Sequence, residues 1–133
     1  MASFTDGNRK SYVPNAPGGV TVDLSAKVYY IVKEVSVGVV DLASASTDFI
    51  VGTINSIERK GQEIEVWSRN GSTTHKVVVG TGPIAIGDYL TSDANGKAVK
   101  TTTVGDQVLG RSAMVGATGD VIEYYPAGFF KYS

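Results

Sequence analysis

The chain has 133 residues, with 12 Lys and Arg against 13 Asp and Glu, one His and no Cys. That length suits one domain with one sizeable core, and the absence of cysteine excludes disulfides and thiolate metal sites. The basic residues are scattered singly, which disfavours nucleic acid as a partner. No apolar run approaches the ~20 residues of a membrane span, so no membrane partner is expected.

Val, Thr and Ile make up 39 residues, while Leu contributes 4 and Glu 5. β-Branched side chains suit a pleated surface and lose rotamer freedom in helices. Residues 1–19 carry Pro14, Pro17, Gly18 and Gly19 without sustained periodicity, and read as an extended N-terminal arm. Residues 1–8 are polar, unlike a secretory signal. From Val20 the pattern turns strand-like. Val20, Val22 and Leu24 alternate with Thr21 and Asp23, and a second alternation runs over 28–33. Period two is the signature of a sheet with one buried face.

An apolar run over 35–40 is broken by Gly38, and residues 42–48 read as a loop. Residues 49–57 predict a strand with a bulge at Gly52, 59–62 a turn, and 63–68 a strand with Ile64 and Val66 on its buried face. Asn70-Gly71 then signals a type I′ hairpin, with 73–79 as the return strand. Strands over 84–91, 97–102, 107–115 and 121–125 follow, with Asp93-Ala94-Asn95-Gly96 as a turn. About ten short strands at this spacing predict an all-β protein, a compact β-barrel or β-sandwich. The organisation expected is an arm over 1–19, a β domain over 20–125 and an aromatic C-terminal tail over 126–133.

Candidate chemistry is sparse. His75, the single histidine, has no nucleophile-elbow serine to serve, and a surface or cross-strand role is expected for it. One His without Cys excludes the usual zinc sets, and residues 93–96 lack the six oxygen ligands of a calcium loop. Glu63 and Glu65 alternate with Ile64 and Val66, which marks a solvated strand face rather than an acid–base pair. No Gly-rich fingerprint opens a helix. No catalytic residue, metal or cofactor is therefore predicted. The ends are more distinctive, since residues 124–132 pack five aromatics into nine positions. Candidate interface residues are Phe4, Tyr12, Val13, Pro14 and Pro17 in the arm, and Tyr124, Tyr125, Phe129, Phe130 and Tyr132 at the other end, because aromatics dominate contact energetics.

The stretch from Ile84 to Ala98, IAIGDYLTSDANGKA, with Val108-Leu109-Gly110-Arg111-Ser112-Ala113 and Gly119-Asp120-Val121-Ile122-Glu123 after it, resembles the small capsid decoration (cement) proteins of tailed phages. Their phrases are I-x-x-G-D-x-L-T-x-D-x-x-G-K-A, V-x-G-x-A and G-D-x-I-x-V. The likeness covers residues 20–125 or so. It implies a non-enzymatic virion protein on the outer capsid surface, with the major capsid protein as partner, bridging and stabilising its subunits. It also implies self-association. A trimer is expected, since closed symmetry hides strand edges and suits threefold sites. The matched Gly87, Asp88, Asp93, Gly96 and Gly110 are read as fold residues. The alternative is a phage tail-fibre or receptor-binding β-module. A hydrolase using His75 is the third reading.

Overall fold

A computed structural model describes residues 9–16, 24, 26–58, 63–68 and 74–132, with the backbone alone at 9, 10, 56–58, 63, 68 and 127–131. They form ten strands: β1 (Arg9–Pro14), β2 (Ile31–Ser36), β3 (Val39–Leu42), β4 (Ile50–Glu58), β5 (Glu63–Ser68), β6 (His75–Val78), β7 (Tyr89–Ser92), β8 (Ala98–Lys100), β9 (Gln107–Ser112) and β10 (Val121–Lys131). The predicted all-β class holds, and the described residues contain no helix, hence none long and apolar enough to cross a membrane.

The first five strands close into a barrel in the order β1-β3-β2-β4-β5, and the rest form a sheet in the order β6-β10-β9-β7-β8. The barrel closes through β1, which lies parallel to β3 and antiparallel to β5. Residues 9–14 of what reads as an arm are thus a barrel strand. Tyr12 is buried there because alternate residues of a strand face the core. The second sheet is nearly closed as well, by a parallel bridge between Val79 and Ala98.

Two apolar cores result. Tyr12, Leu24, Val32, Val40, Val51, Ile54, Ile64 and Val66 fill the barrel. Ile31, Ala43 and Ile50 join Val77, Val79, Ile84, Leu90, Ala98, Leu109, Ile122 and Tyr124 in the second core. β2 and β4 form the wall between them. Ile31 and Val32 are neighbours that point to opposite faces, and both are fully buried. Ile50 and Val51 do the same. Opposite Val32 and Lys33, β4 carries an extra residue next to Gly52, whose φ is 155°. This predicted bulge shifts the alternation, so Val51 and Ile54, three apart, both face the barrel core. Thr53, on the other face, shares a buried 3.1 Å hydrogen bond with the Tyr124 hydroxyl.

Several sequence expectations are corrected. The strand predicted over 28–33 starts only at Ile31, because Tyr29 adopts a φ of 71° that breaks extended structure. The expected return strand over 73–79 pairs with β10 rather than with β5. The chain crosses to the second sheet there, since the barrel places β1 along β5's free edge. The Asn70-Gly71 turn and the predicted strand over 20–23 lie outside the described residues. Ile84 makes only an isolated bridge to Gly116, so β7 begins at Tyr89. The tail over 126–131 continues β10 along β9, with a register shift between Pro126 and Phe130.

Turn chemistry explains why the second sheet folds as it does. In the turns over 85–88 and 117–120, the Asp amide donates to the carbonyl of the first Ala, and that Ala's amide donates back to the Asp carboxylate. Gly87 and Gly119 hold φ values of 87° and 88°, as the third position of a type II turn requires. Asp93 accepts from the amides of Asn95 and Lys97, confirming the predicted turn as self-bonded. Its Gly96 carbonyl accepts from the Ile31 amide at 2.7 Å and docks the turn on the barrel.

Candidate functional site

The sequence-predicted interface residues separate into three groups. Phe4 and Pro17 lie outside the described residues. Tyr12, Pro14 and Tyr124 are buried in the chain's own cores or walls, so they present no surface to a partner. Phe129 and Phe130 fall on β10, described there by backbone alone. Val13 and Tyr125 are exposed, at 48% and 58%, and Tyr132 is half-buried.

Tyr125 does not stand alone. β10 presents it outward because Tyr124 faces the core. Cross-strand register sets Arg111 directly opposite Tyr125, and Tyr89 directly opposite Arg111. Directly paired residues share a face, so three strands present a Tyr-Arg-Tyr row. The Arg111 guanidinium lies 4.8 Å from the Tyr89 ring centroid, while its Nε donates to the Gly87 carbonyl at 3.0 Å. Tyr132 and Tyr89 meet edge to face, ring centroids 5.6 Å apart at 80°. Arg111 and Tyr89 were missed in the sequence because neither is near an end; only the register reveals them. Tyr and Arg are the residue types that carry most binding energy at protein interfaces, and here the arginine is braced before any partner arrives.

His75 is not on the surface. It is buried, and Tyr124 is its cross-strand partner on β10. Its ring lies 4.7 Å from Trp67 and edge-on to Tyr124 at 5.9 Å. Both ring nitrogens lack a hydrogen-bond partner among the described residues. Burial lowers its pKa to about 4, because an apolar site disfavours the charged imidazolium. A general base needs a partner to orient it, and the described residues supply none. They also contain no group of three His, Asp or Glu that could hold a metal ion. Beside His75 an open pocket of about 180 Å³ is lined by Tyr29, Asn55, Trp67, Thr74 and Lys76.

No family model and no curated protein matches the chain. Among solved structures, the chain is similar to the N base of the head fiber gp8.5 of bacteriophage phi29. The likeness has a TM-score of 0.60 at 18% identity, over 90% of this chain and 94% of that one. At that identity the two share a fold.

Proposed function

We propose that this chain is a non-enzymatic structural protein of a phage particle, carried on the outer surface of the head. The observation that carries this reading is the fold shared with a phage head fiber base along nearly the whole of both chains. The phrases Ile84-x-x-Gly87-Asp88 and Gly119-Asp120, found in capsid decoration proteins, support the same class. The function proposed is to bind the major capsid protein and bridge its subunits. Many small contacts repeated on a lattice give avidity without one strong site.

The Tyr89, Arg111, Tyr125 and Tyr132 face is the proposed contact, with Arg111 and Tyr125 exposed and Tyr89 and Tyr132 half-buried. All four are anchor residue types, and Arg111, Tyr89 and Tyr132 are braced against one another. A trimer remains part of the reading, on the symmetry of capsid sites alone. Its other support, protection of strand edges, applies only to β6 and β8 of the second sheet, because the barrel closes on itself.

The second reading, a fibre or receptor-binding module, is favoured by the same neighbour, named as the base of a fiber. Copy number in purified particles separates the two. Hundreds of copies mean decoration, and a few mean a fibre or tail part. For the contact face, Tyr125→Ala and Arg111→Ala should fold normally yet co-sediment less with purified heads. Unchanged co-sedimentation of both would reject this face. Deleting residues 2–17 is a poor probe, because it removes the whole of β1.

A further inference from the structure

Several unusual features of the chain meet in one place. Tyr29 is the single non-glycine with positive φ among the described residues. It is held there by its amide donating to the Ile54 carbonyl and its carbonyl accepting from the Val78 amide. Strained backbone of this kind is costly and concentrates at binding sites. Asn55 is the extra residue where the β4–β5 register slips between Ile54 and Ser56, and bulges re-aim side chains beside sites. Its amide is fixed by Glu65 at 2.6 Å. Trp67 and His75 are the chain's only tryptophan and only histidine, and their rings are in contact. Among the described residues, His75 has no partner for either of its two buried nitrogens, a penalty a core aliphatic would not carry. All four line the pocket, with Thr74 and Lys76.

We propose that this pocket binds a single pyranose ring of a carbohydrate. The lining selects the class. Tyr29 and Trp67 supply aromatic rings for the axial C–H groups of a sugar ring, the Lys76 ammonium already lying over the Tyr29 ring at 5.8 Å and His75 against Trp67, while Asn55, Thr74 and Lys76 offer the amide, hydroxyl and ammonium that its hydroxyls require. One lysine, with Glu65 and Glu123 bonded to the neighbouring Asn55 and Thr74, does not make a site for phosphate. An aliphatic ligand would strand the polar groups. The volume of about 180 Å³ is below the ~300–1,000 Å³ of drug-sized sites and admits one ring. His75 acts as the positioning residue under Trp67, with its own nitrogens sealed away. The pocket adjoins the proposed contact face, since Lys76 pairs with Glu123, two residues before Tyr125, but the inference rests on the pocket's own lining and on free sugars rather than on the head-surface reading.

Trp67, as the sole tryptophan, reports on the pocket by its own fluorescence. The full chain is titrated separately with methyl glucoside, galactose and N-acetylglucosamine. Sorbitol, with similar hydroxyls but no ring, is the control. At least one pyranose should shift Trp67 emission saturably, half-saturating on the order of 1 mM as befits so small a ligand, and sorbitol should not. Tyr29→Gly removes the stacking face while tolerating the positive φ, so it should fold at least as well and bind at least tenfold more weakly. Lys76→Ala should weaken binding without altering the melting temperature. The proposal is overturned if no pyranose gives a saturable shift, if sorbitol matches them, or if Tyr29→Gly binds as the parent does.

Discussion

The barrel draws its core from residues 12–66 alone, whereas the second sheet borrows Ile31, Ala43 and Ile50 from barrel segments. The barrel is closed by a complete ring of strand pairs, and the sheet is drawn together by one bridge and by Asp-capped turns. The difference teaches an order of dependence. The barrel holds what it needs within its own strands, and the second sheet is completed only against a wall already formed by β2 and β4. That wall also puts the Tyr29 pocket where the two units adjoin, since its lining comes from β4, β5 and β6 as well as from the turn before β2.

This asymmetry can be broken most severely at Gly110. A Cβ there would land on the Tyr125 carbonyl oxygen and 2.8 Å from the Tyr124 ring. Gly110→Val should destabilise the second sheet by more than about 4 kcal/mol. Hydrogen exchange should then show β9 and β10 amides exposed while β5 amides stay protected. Equal loss in both would mean the two cores form one cooperative unit.

Next in size, Ile31→Ala and Ile64→Ala remove similar side chains from the shared wall and from the barrel interior. Each should cost about 2–5 kcal/mol in urea denaturation. Ile31→Ala should loosen the second sheet first, and Ile64→Ala should loosen both, because the wall goes with the barrel. A smaller effect is expected at the Thr53–Tyr124 hydrogen bond between the units. Thr53→Val removes one partner of this buried bond and should cost about 1–3 kcal/mol, and Tyr124→Phe should cost less on that background than in the parent. A double mutant as weak as the sum of the singles would mean that this bond does not couple the units.

The smallest effect at neutral pH comes from His75. An unfolded His titrates near pH 6.5, and in the fold it titrates at about 4. On acidification the unfolded chain takes up this proton first. The His75 contribution is therefore fully present above pH ~6.5, is lost as pH falls to about 4, and is level below that. His75→Phe should flatten the urea midpoint across that window relative to the parent. Parallel curves would show that His75 is not the titrating group.

Strand existence was legible where one face is wet. Residues 63–68 alternate plainly, and β5 has those bounds. The loop read over 42–48 was legible too, save that Leu42 ends β3, and Asp48 holds it by accepting from the Ser44 and Ala45 amides. Burial pushes that carboxyl up, but these bonds and Lys33 outweigh it and hold it below the usual range. Strands buried on both faces were harder. Ile31-Val32 and Ile50-Val51 do not alternate, because each residue of the pair serves a different core. The hairpin expected after β5 failed for a related reason, since local turn chemistry names a turn but not which strand the chain then joins. Tyr125 was a candidate from composition, while Arg111 and Tyr89 became its neighbours only through the register of three strands.

By itself, then, the sequence determined the strand-forming residues, the Asp- and Gly-bearing turns and the absence of long helical periodicity, because each is set by sterics and hydrogen bonds within a few residues. Only the tertiary structure decided that Arg9–Pro14 closes a barrel, that β2 and β4 divide two cores, and that Tyr29, Trp67 and His75 meet. Those outcomes depend on which strands pair across long stretches of chain, and pairing is chosen by the joint burial of side chains that no local pattern brings together.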